Sequence, residues 1–315
     1  MASNPFNDAL EDLRISASVL LHERYDPPWA IEVPSQEGLR AALSAKPDAS
    51  LIPFHFVRHG AFDLHYDGAK PVRIPTGDVT ICPSGAAHRM SFGSKTKAVR
   101  LADLLKAGMP RTSEETGHAT ELICGVFQLR NTPLNPLVAA LPRVLSVKTN
   151  GAGVSPLLDH AAQMLAIEAA KSRTSFIASR VLEVFFAEAI RAYSQAEGAL
   201  ASGWFKALND PKIRLALSRM HDHPGAPWTV AALADTIRMS PSRFAARFRE
   251  VMGQSAMSYV SGWRMTVACQ HLRESNEPLD VIAGAVGYQD VASFSRAFKA
   301  LVGESPAKWR TASRR

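Results

Sequence analysis

The chain has only three cysteines, Cys82, Cys124 and Cys269, in 315 residues. They are too few and too scattered for a disulfide framework or a four-thiolate zinc site, and they suit a reducing compartment. Long apolar runs are missing as well: the longest are short and broken by charge, so no stretch approaches the roughly 18 apolar residues that mark a membrane helix. The opening residues, MASNPFNDALEDLR, lack the basic and then apolar pattern of a secretory leader. Nor does a Gly-x-Ser-x-Gly nucleophile elbow occur, which argues against a Ser/His/Asp hydrolase. These absences exclude a secreted disulfide scaffold and a membrane protein, and the expectation is a cytoplasmic chain.

Charge is informative once it is divided along the chain. Residues 1–203 hold 20 Lys+Arg against 20 Asp+Glu, whereas residues 204–315 hold 16 against 9, so the whole +7 excess sits in the C-terminal third. A basic third attached to a neutral remainder points to a polyanion partner for that third alone, and nucleic acid is the obvious one. A chain of this length also exceeds what one hydrophobic core usually serves.

Between about Ile52 and Leu129 the segments FHFVRHG, AFDLHYD, VRIPTGDVTICPSG, AHRMSF and TELICGVFQLR are short, partly alternating and bounded by Gly, Pro and Asp. They predict an antiparallel sandwich or barrel. The stretch from Gly93 to Gly117 is a long polar connection with one helical pattern, LADLLKAG, and connections of that length are often lids or disordered. After Leu141-Pro142, apolar residues recur at helical spacing through Leu157, Leu158, Ala161, Met164 and Leu165. They recur again through Ile177, Val181, Val184, Phe185, Ile190 and Tyr193, so two amphipathic helices are expected within 155–196. Their apolar faces either pack on the barrel or form a homodimer interface.

Beyond Gly203 the pattern is helical to the end, with helices expected near 211–222, 229–236, 241–252, 256–273, 279–285, 291–301 and 306–312. Thr229, Ser240 and Asp290 stand where a short oxygen-bearing side chain caps a helix, and Gly253, Gly287 and Gly303 mark ends. This third repeats itself. TVAALADTIRMSPSRFAARFRE (229–250) and LDVIAGAVGYQDVASFSRAFKA (279–300) each carry a small residue (Ala234, Ala283), a short turn, and aromatics four apart: Phe244/Phe248 and Phe294/Phe298. The second copy has one extra residue in its turn. Steeply crossing helices need the small residue at closest approach, and the paired aromatics bury one face of the second helix. The other face is left for a major groove. Two such units joined by one long helix reach successive groove faces when they stand about 34 Å apart.

On these residues, and on the ending FSRAFKALVGESPAKWR with its Gly-x-x-Pro-x-x-Trp-Arg close, residues 208–312 resemble the C-terminal domain of AraC/XylS-type regulators. The resemblance implies base-reading positions at Ser242, Arg243, Ala245 and Ala246 in the first unit and at Ala292, Ser293 and Arg296 in the second. Arg296 is the leading base reader, because a guanidinium bridges O6 and N7 of guanine. Ala246 departs from family members that carry a long polar side chain there. Arg243, Arg247, Arg249 and Lys299 are candidates for phosphate contacts, and Trp263 and Trp309 are read as core with the four phenylalanines.

In the first half, Gly77, Pro83, Gly85 and His88 fit the second cupin motif, Gly-(x)5-Pro-x-Gly-(x)2-His, with Phe92 where Asn is usual. The first motif, which supplies two His and a Glu, is not recognisable: Pro53 stands at the position of the Glu. With Pro28-Trp29 and Leu-Ile-Cys-Gly at 122–125, residues 10–145 resemble the cupin-like sensor of a subgroup of AraC-type regulators. His55, His88 and Cys124, on three expected strands, are candidates for a ligand pocket or for a site holding Zn or another divalent metal. The alternatives are hydrogen-bonded core histidines, or a redox trigger at Cys82 or Cys124.

The resulting expectation is an α+β multidomain protein. A cupin-like antiparallel β-barrel (1–145) that senses a small molecule, metal or oxidant is followed by a helical connector (146–203) and an all-α double helix-turn-helix (204–315). The partners it implies are promoter DNA, an effector, RNA polymerase if the chain activates, and a second copy if the connector dimerises. The alternatives are a cupin-type metal-dependent oxygenase or isomerase with an accessory helical domain, and an architectural DNA binder without a signal.

Overall fold

The computed structural model describes residues 4–46, 49–107, 119–130, 134–172, 175–196 and 203–314. In chain order its first elements are α1 (Pro5–Asp12), β1 (Arg14–Tyr25), β2 (Trp29–Val33), α2 (Gln36–Leu43), β3 (Ser50–His59), β4 (Ala61–His65), β5 (Val72–Pro75), β6 (Asp78–Ile81), β7 (His88–Phe92), β8 (Val99–Arg100), α3 (Leu101–Ala107) and β9 (Thr120–Arg130). Next come α4 (Pro136–Ala140), β10 (Leu145–Lys148), α5 (Pro156–Lys171) and α6 (Phe176–Gln195). The helices α7 (Gly203–Asn209), α8 (Pro211–Asp222), α9 (Val230–Thr236), α10 (Pro241–Met252), α11 (Ala256–Glu274), α12 (Leu279–Ala285), α13 (Val291–Val302) and α14 (Pro306–Ser313) complete the order. Residues 108–118, the second part of the long connection expected after Gly93, lie outside the described residues. No helix among the described residues is long and apolar enough to cross a membrane.

The chain forms two compact units that do not follow the divisions expected at 145 and 203. Residues 15–130 and 141–193 form one, and residues 1–14, 131–140 and 194–315 form the other. The first unit holds two five-stranded sheets, β1-β9-β3-β6-β10 and β5-β4-β7-β2-β8. Among the described residues they are not joined into a closed barrel, and β8 runs parallel to β2 where an all-antiparallel arrangement was expected. Strand β10, placed across the expected start of the connector, pairs with β6 and completes the first sheet.

Strand β3 is buried on both faces from Leu51 to Val57, which is why it reads as a continuous apolar run rather than an alternating one. Leu51, Val57, Leu122, Cys124 and Val126 join Ile31, Phe62, Leu64 and Met90 of the second sheet in the inter-sheet core. The opposite face meets α6: the Phe127 and Phe186 rings are 4.8 Å apart, and Phe56 and Phe185 are 6.1 Å apart. The apolar stripe of α5 and α6 therefore divides. Leu158, Ala161, Leu165, Val181, Phe185 and Ile190 are buried, whereas Leu157, Met164, Ile177 and Val184 are about half exposed (45–51%).

Among the described residues the second unit is built from helices, α1, α4 and α7–α14. The buried side chain of Asn135 donates from Nδ2 to the Ala9 carbonyl (2.8 Å) and to Asp12 Oδ2 (3.0 Å), and its Oδ1 accepts from the Leu137 backbone N–H (3.0 Å). One amide thus ties the start of α4 to the end of α1. Phe6 of α1 stacks on Trp204 of α7 at 6.4 Å. Nothing in the amphipathic pattern of these short helices names their partner, so the sequence grouped them with the strands that flank them.

Candidate nucleic-acid interface and sensor site

Each repeat folds as two helices and a turn. In the first, the Met239 N–H donates to the Ala234 carbonyl (3.0 Å); in the second, the Tyr288 N–H donates to the Ala283 carbonyl (2.8 Å). This equivalence places the extra residue of the second copy at Gln289, between the turn and the cap of α13. Arg238 and Gly287 occupy the same left-handed position, with φ of 53° and 81°. Ala234 and Ala283 are buried at the crossing, as are Phe244, Phe248, Phe294 and Phe298. Thr229 and Asp290 cap α9 and α13 through their side chains, whereas Ser240 takes the cap position of α10 without a side-chain hydrogen bond.

With the phenylalanines turned inward, the candidate DNA residues fall on the outer faces. Ser242, Arg243, Ala245, Ala246, Arg247 and Arg249 of α10 are exposed; so are Ala292, Arg296 and Lys299 of α13, with Ser293 half-buried. Arg296 Nη2 donates to Ser293 Oγ (3.0 Å), one turn back toward the helix N-terminus. Arg247 is already engaged: its Nε and Nη2 lie 2.9 and 2.7 Å from Asp210 Oδ2, while Asp210 Oδ1 caps α8. Other cations of the basic third are bound to backbone carbonyls. Arg264 donates to the carbonyls of Pro224 (2.8 Å) and Ala226 (2.7 Å), Arg310 to that of Glu277 (2.6 Å), and Arg314 to those of Leu272, Arg273 and Ser275 where α11 ends. These guanidiniums satisfy carbonyls that loops and helix ends leave unpaired.

In the sheet unit, three of the candidate side chains meet between the sheets. His55 and Cys124 are register partners on β3 and β9, and the Cys124 Sγ lies 3.2 Å from His55 Nδ1. His88 comes from β7 in the facing sheet, with its Nε2 2.8 Å from His55 Nε2 and its Nδ1 2.9 Å from the Ala86 carbonyl. A carbonyl only accepts, so His88 carries its proton on Nδ1 and offers a lone pair on Nε2. His55 then donates from Nε2, and the Cys124 thiol donates to His55 Nδ1. Burial, with His88 as a second cause, holds the His55 imidazole well below its usual pKa, and burial lowers that of His88. Burial pushes the Cys82 thiol up to about 12 and raises that of Cys124 as well. Neither is a ready thiolate for an oxidant.

Residues 4–195 match the family described as Cupin, and residues 233–312 match the one described as Helix-turn-helix domain. A Streptomyces antibioticus protein named as an AraC-like transcription regulator is 30% identical over 273 residues, covering 82% of this chain and 87% of its own. The Acinetobacter baylyi HTH-type transcriptional regulator AlkR is 25% identical over 312 residues, covering 96% and 97%. The chain belongs to the AraC-like transcription regulators.

This AraC-like regulator is a DNA-binding protein: its C-terminal third matches the helix-turn-helix family, and its relatives carry the names of transcriptional regulators. Its cupin-like unit also has a cleft of about 710 Å³, bordered by β2, the end of β4, the approach to β7, and α3. Acids (Glu32, Asp67, Asp103) and bases (Arg89, Arg100, Lys106) share the wall, with Arg100 held by Asp103 at 2.8 Å. His88 lines this cleft and also touches His55, so it joins the opening to the buried cluster. Sequence reasoning missed Cys82 as a neighbour of the two histidines. The available signal was its place immediately before the motif proline, where the Cys82 N–H donates to the Pro53 carbonyl (2.8 Å), two residues before His55.

Proposed function

We propose that this regulator reads its promoter site chiefly through α13, with Arg296 as the base reader and Ser293 and Ala292 beside it. The observation that carries this reading is the division of α13 into a face buried by Phe294 and Phe298 and an exposed face holding Ala292, Arg296 and Lys299. The Asp290 cap at its start orders the backbone at the end that meets base edges. Helix α10 presents the shorter Ser242 and Ala246, suited to a thymine methyl or to shape. Arg243, Arg249 and Lys299 ride the phosphates, and Arg247 does so only by sharing its charge with Asp210.

The sheet unit is the sensor in this reading. Its mixed-charge cleft suits a small effector bearing both apolar and ionised groups, and the effector acts by binding one arrangement of the regulator better than another. The exposed apolar residues of α5 and α6 serve a second copy of the chain. RNA polymerase is the partner where the chain activates, and the cytoplasm is its place of action. Binding of the full chain to a duplex from its own promoter region, across a salt series, tests the reading. Arg296→Ala should lose about 1 to 3 kcal/mol on the specific duplex and little on a scrambled one. Equal losses on both would reduce Arg296 to a phosphate contact.

A further inference from the structure

The cluster between the sheets has a composition that hydrogen bonding alone does not require. Ligand atoms of His55, Cys82 and His88, all three buried, lie within 4.8 Å of one another. They come from β3, from the residue after β6, and from the start of β7, so separate elements of both sheets converge on one point. The Cys82 Sγ makes no hydrogen bond among the described residues, although the side chain is only 2% exposed. The two imidazoles aim Nε2 at each other across 2.8 Å. Each ring is also held from behind, His88 by the Ala86 carbonyl on Nδ1 and His55 by Cys124 on Nδ1. Histidines that bind metal are commonly oriented through the second nitrogen in this way.

We propose that His55, Cys82 and His88 form a zinc(II) site within the sensor unit, with Cys124 as the positioning residue that fixes the His55 ring. Two imidazoles and a thiolate are borderline-to-soft donors that suit Zn(II) and not Mg(II) or Ca(II). At Zn–N distances of about 2.0–2.1 Å in tetrahedral geometry, the two Nε2 atoms move apart to about 3.4 Å, a small adjustment of either ring. On binding, Cys82 releases its thiol proton to solvent. His55 moves its own proton from Nε2 to Nδ1, where the Cys124 sulfur accepts it. Three protein ligands leave a fourth position for water or an effector atom, and His88, on the wall of the cleft, is the ligand nearest to solvent. The set differs from His55, His88 and Cys124 in that register pairing puts the Cys124 sulfur on the far nitrogen of His55, not on the one facing His88.

The proposal deepens the sensing role given above to this unit. Metal content and cobalt spectra test the site, DNA binding tests that role, and the two can fail separately. Tag-free full-length protein, stripped with chelator, is titrated with ZnCl2 and with CoCl2. One ion per chain is expected, with a thiolate-to-cobalt charge-transfer band. Cys82→Ser should abolish that band and weaken zinc binding at least tenfold with an unchanged circular dichroism spectrum, and His88→Gln should weaken zinc similarly should the serine variant not fold. Cys124→Ser should keep the band and weaken binding by about 10- to 100-fold, and Cys269→Ser should change nothing. Substoichiometric binding by the wild type, or a band that survives Cys82→Ser, overturns the proposal, as does loss of the band in Cys124→Ser alone.

Discussion

The Nδ1 of His221 lies 3.0 Å from the Oδ2 of Asp8, a residue 213 positions earlier in the chain. The carboxylate only accepts, so Nδ1 donates to it and Nε2 accepts from the Tyr259 hydroxyl at 2.8 Å. Tyr259 in turn accepts from the Trp204 indole (3.3 Å), and the His221 ring stacks on Trp263 at 3.7 Å. Through this chain α1 is fastened to the helices that support the first helix-turn-helix.

That contact sets a pH dependence. Burial lowers the His221 pKa, with Asp8 and then Asp222 opposing, so the neutral ring is the folded form. A lowered folded pKa means that the unfolded chain binds more protons. The stability from His221 is complete above its unfolded value of about 6.5 and is lost as pH falls from there toward the folded pKa. An NMR titration should place the His221 midpoint below about 6.5, and Asp8→Asn should move it lower still. A midpoint above the free imidazole value would mean that the carboxylate outweighs burial.

The equivalent turn positions Arg238 and Gly287 should respond oppositely to substitution. Arg238→Gly relieves a left-handed backbone and is expected to be neutral or stabilising by up to about 1 kcal/mol. A Cβ at Gly287 would stand 2.7 Å from the Arg264 guanidinium and 2.8 Å from the Gly225 carbonyl oxygen. Gly287→Ala should therefore cost more than about 1 kcal/mol in denaturant melts. Similar effects at both positions would show that the turns are not equivalent.

Among the cations of α10, Arg247 should separate from Arg243. Arg247→Ala breaks a half-exposed ion pair and should lower stability by at most about 1 kcal/mol, whereas Arg243→Ala should leave the melting temperature unchanged. Arg243→Ala should weaken binding to specific and scrambled duplexes alike and reduce the salt slope by about 1. A purely specific loss would make Arg243 a base reader.

The exposed residues Ile167, Phe176 and Ile177, 58%, 73% and 51% accessible, give the dimer reading its test. Ile167→Glu combined with Phe176→Ser should convert a concentration-dependent dimer to a monomer in sedimentation velocity, with no loss of folded signal. An unchanged association constant would move the interface elsewhere.

The double helix-turn-helix was legible because its signals are local. Caps at Thr229 and Asp290, glycine at 253 and 303, and aromatics four apart are constraints that a short window of chain imposes on itself. The cupin corner from Gly77 to His88 was legible for the same reason. The strands β1 and β2 and the helices α1 and α4 were not: β2, α1 and α4 are brief, and in β1 the buried Ala17, Val19 and Leu21 alternate with Ser18, Leu20 and His22, which are not uniformly polar. The charge excess of the C-terminal third was visible in its amount but not in its use: Arg264, Arg310 and Arg314 bind backbone carbonyls, and composition counts them with Arg296.

By itself, then, the sequence determined the periodic helices, their ends, the buried face of each repeat and the turn that carries His88. Tertiary structure decided what lies beside what. It set α1 and α4 against α7, α8 and α11, put Asp210 on Arg247, and placed Cys82 with the two histidines while Cys124 took the back of the His55 ring. Periodicity constrains which way a side chain faces along a few residues of chain. Which partner waits there is fixed by packing between segments tens to hundreds of residues apart, and no local pattern encodes that choice.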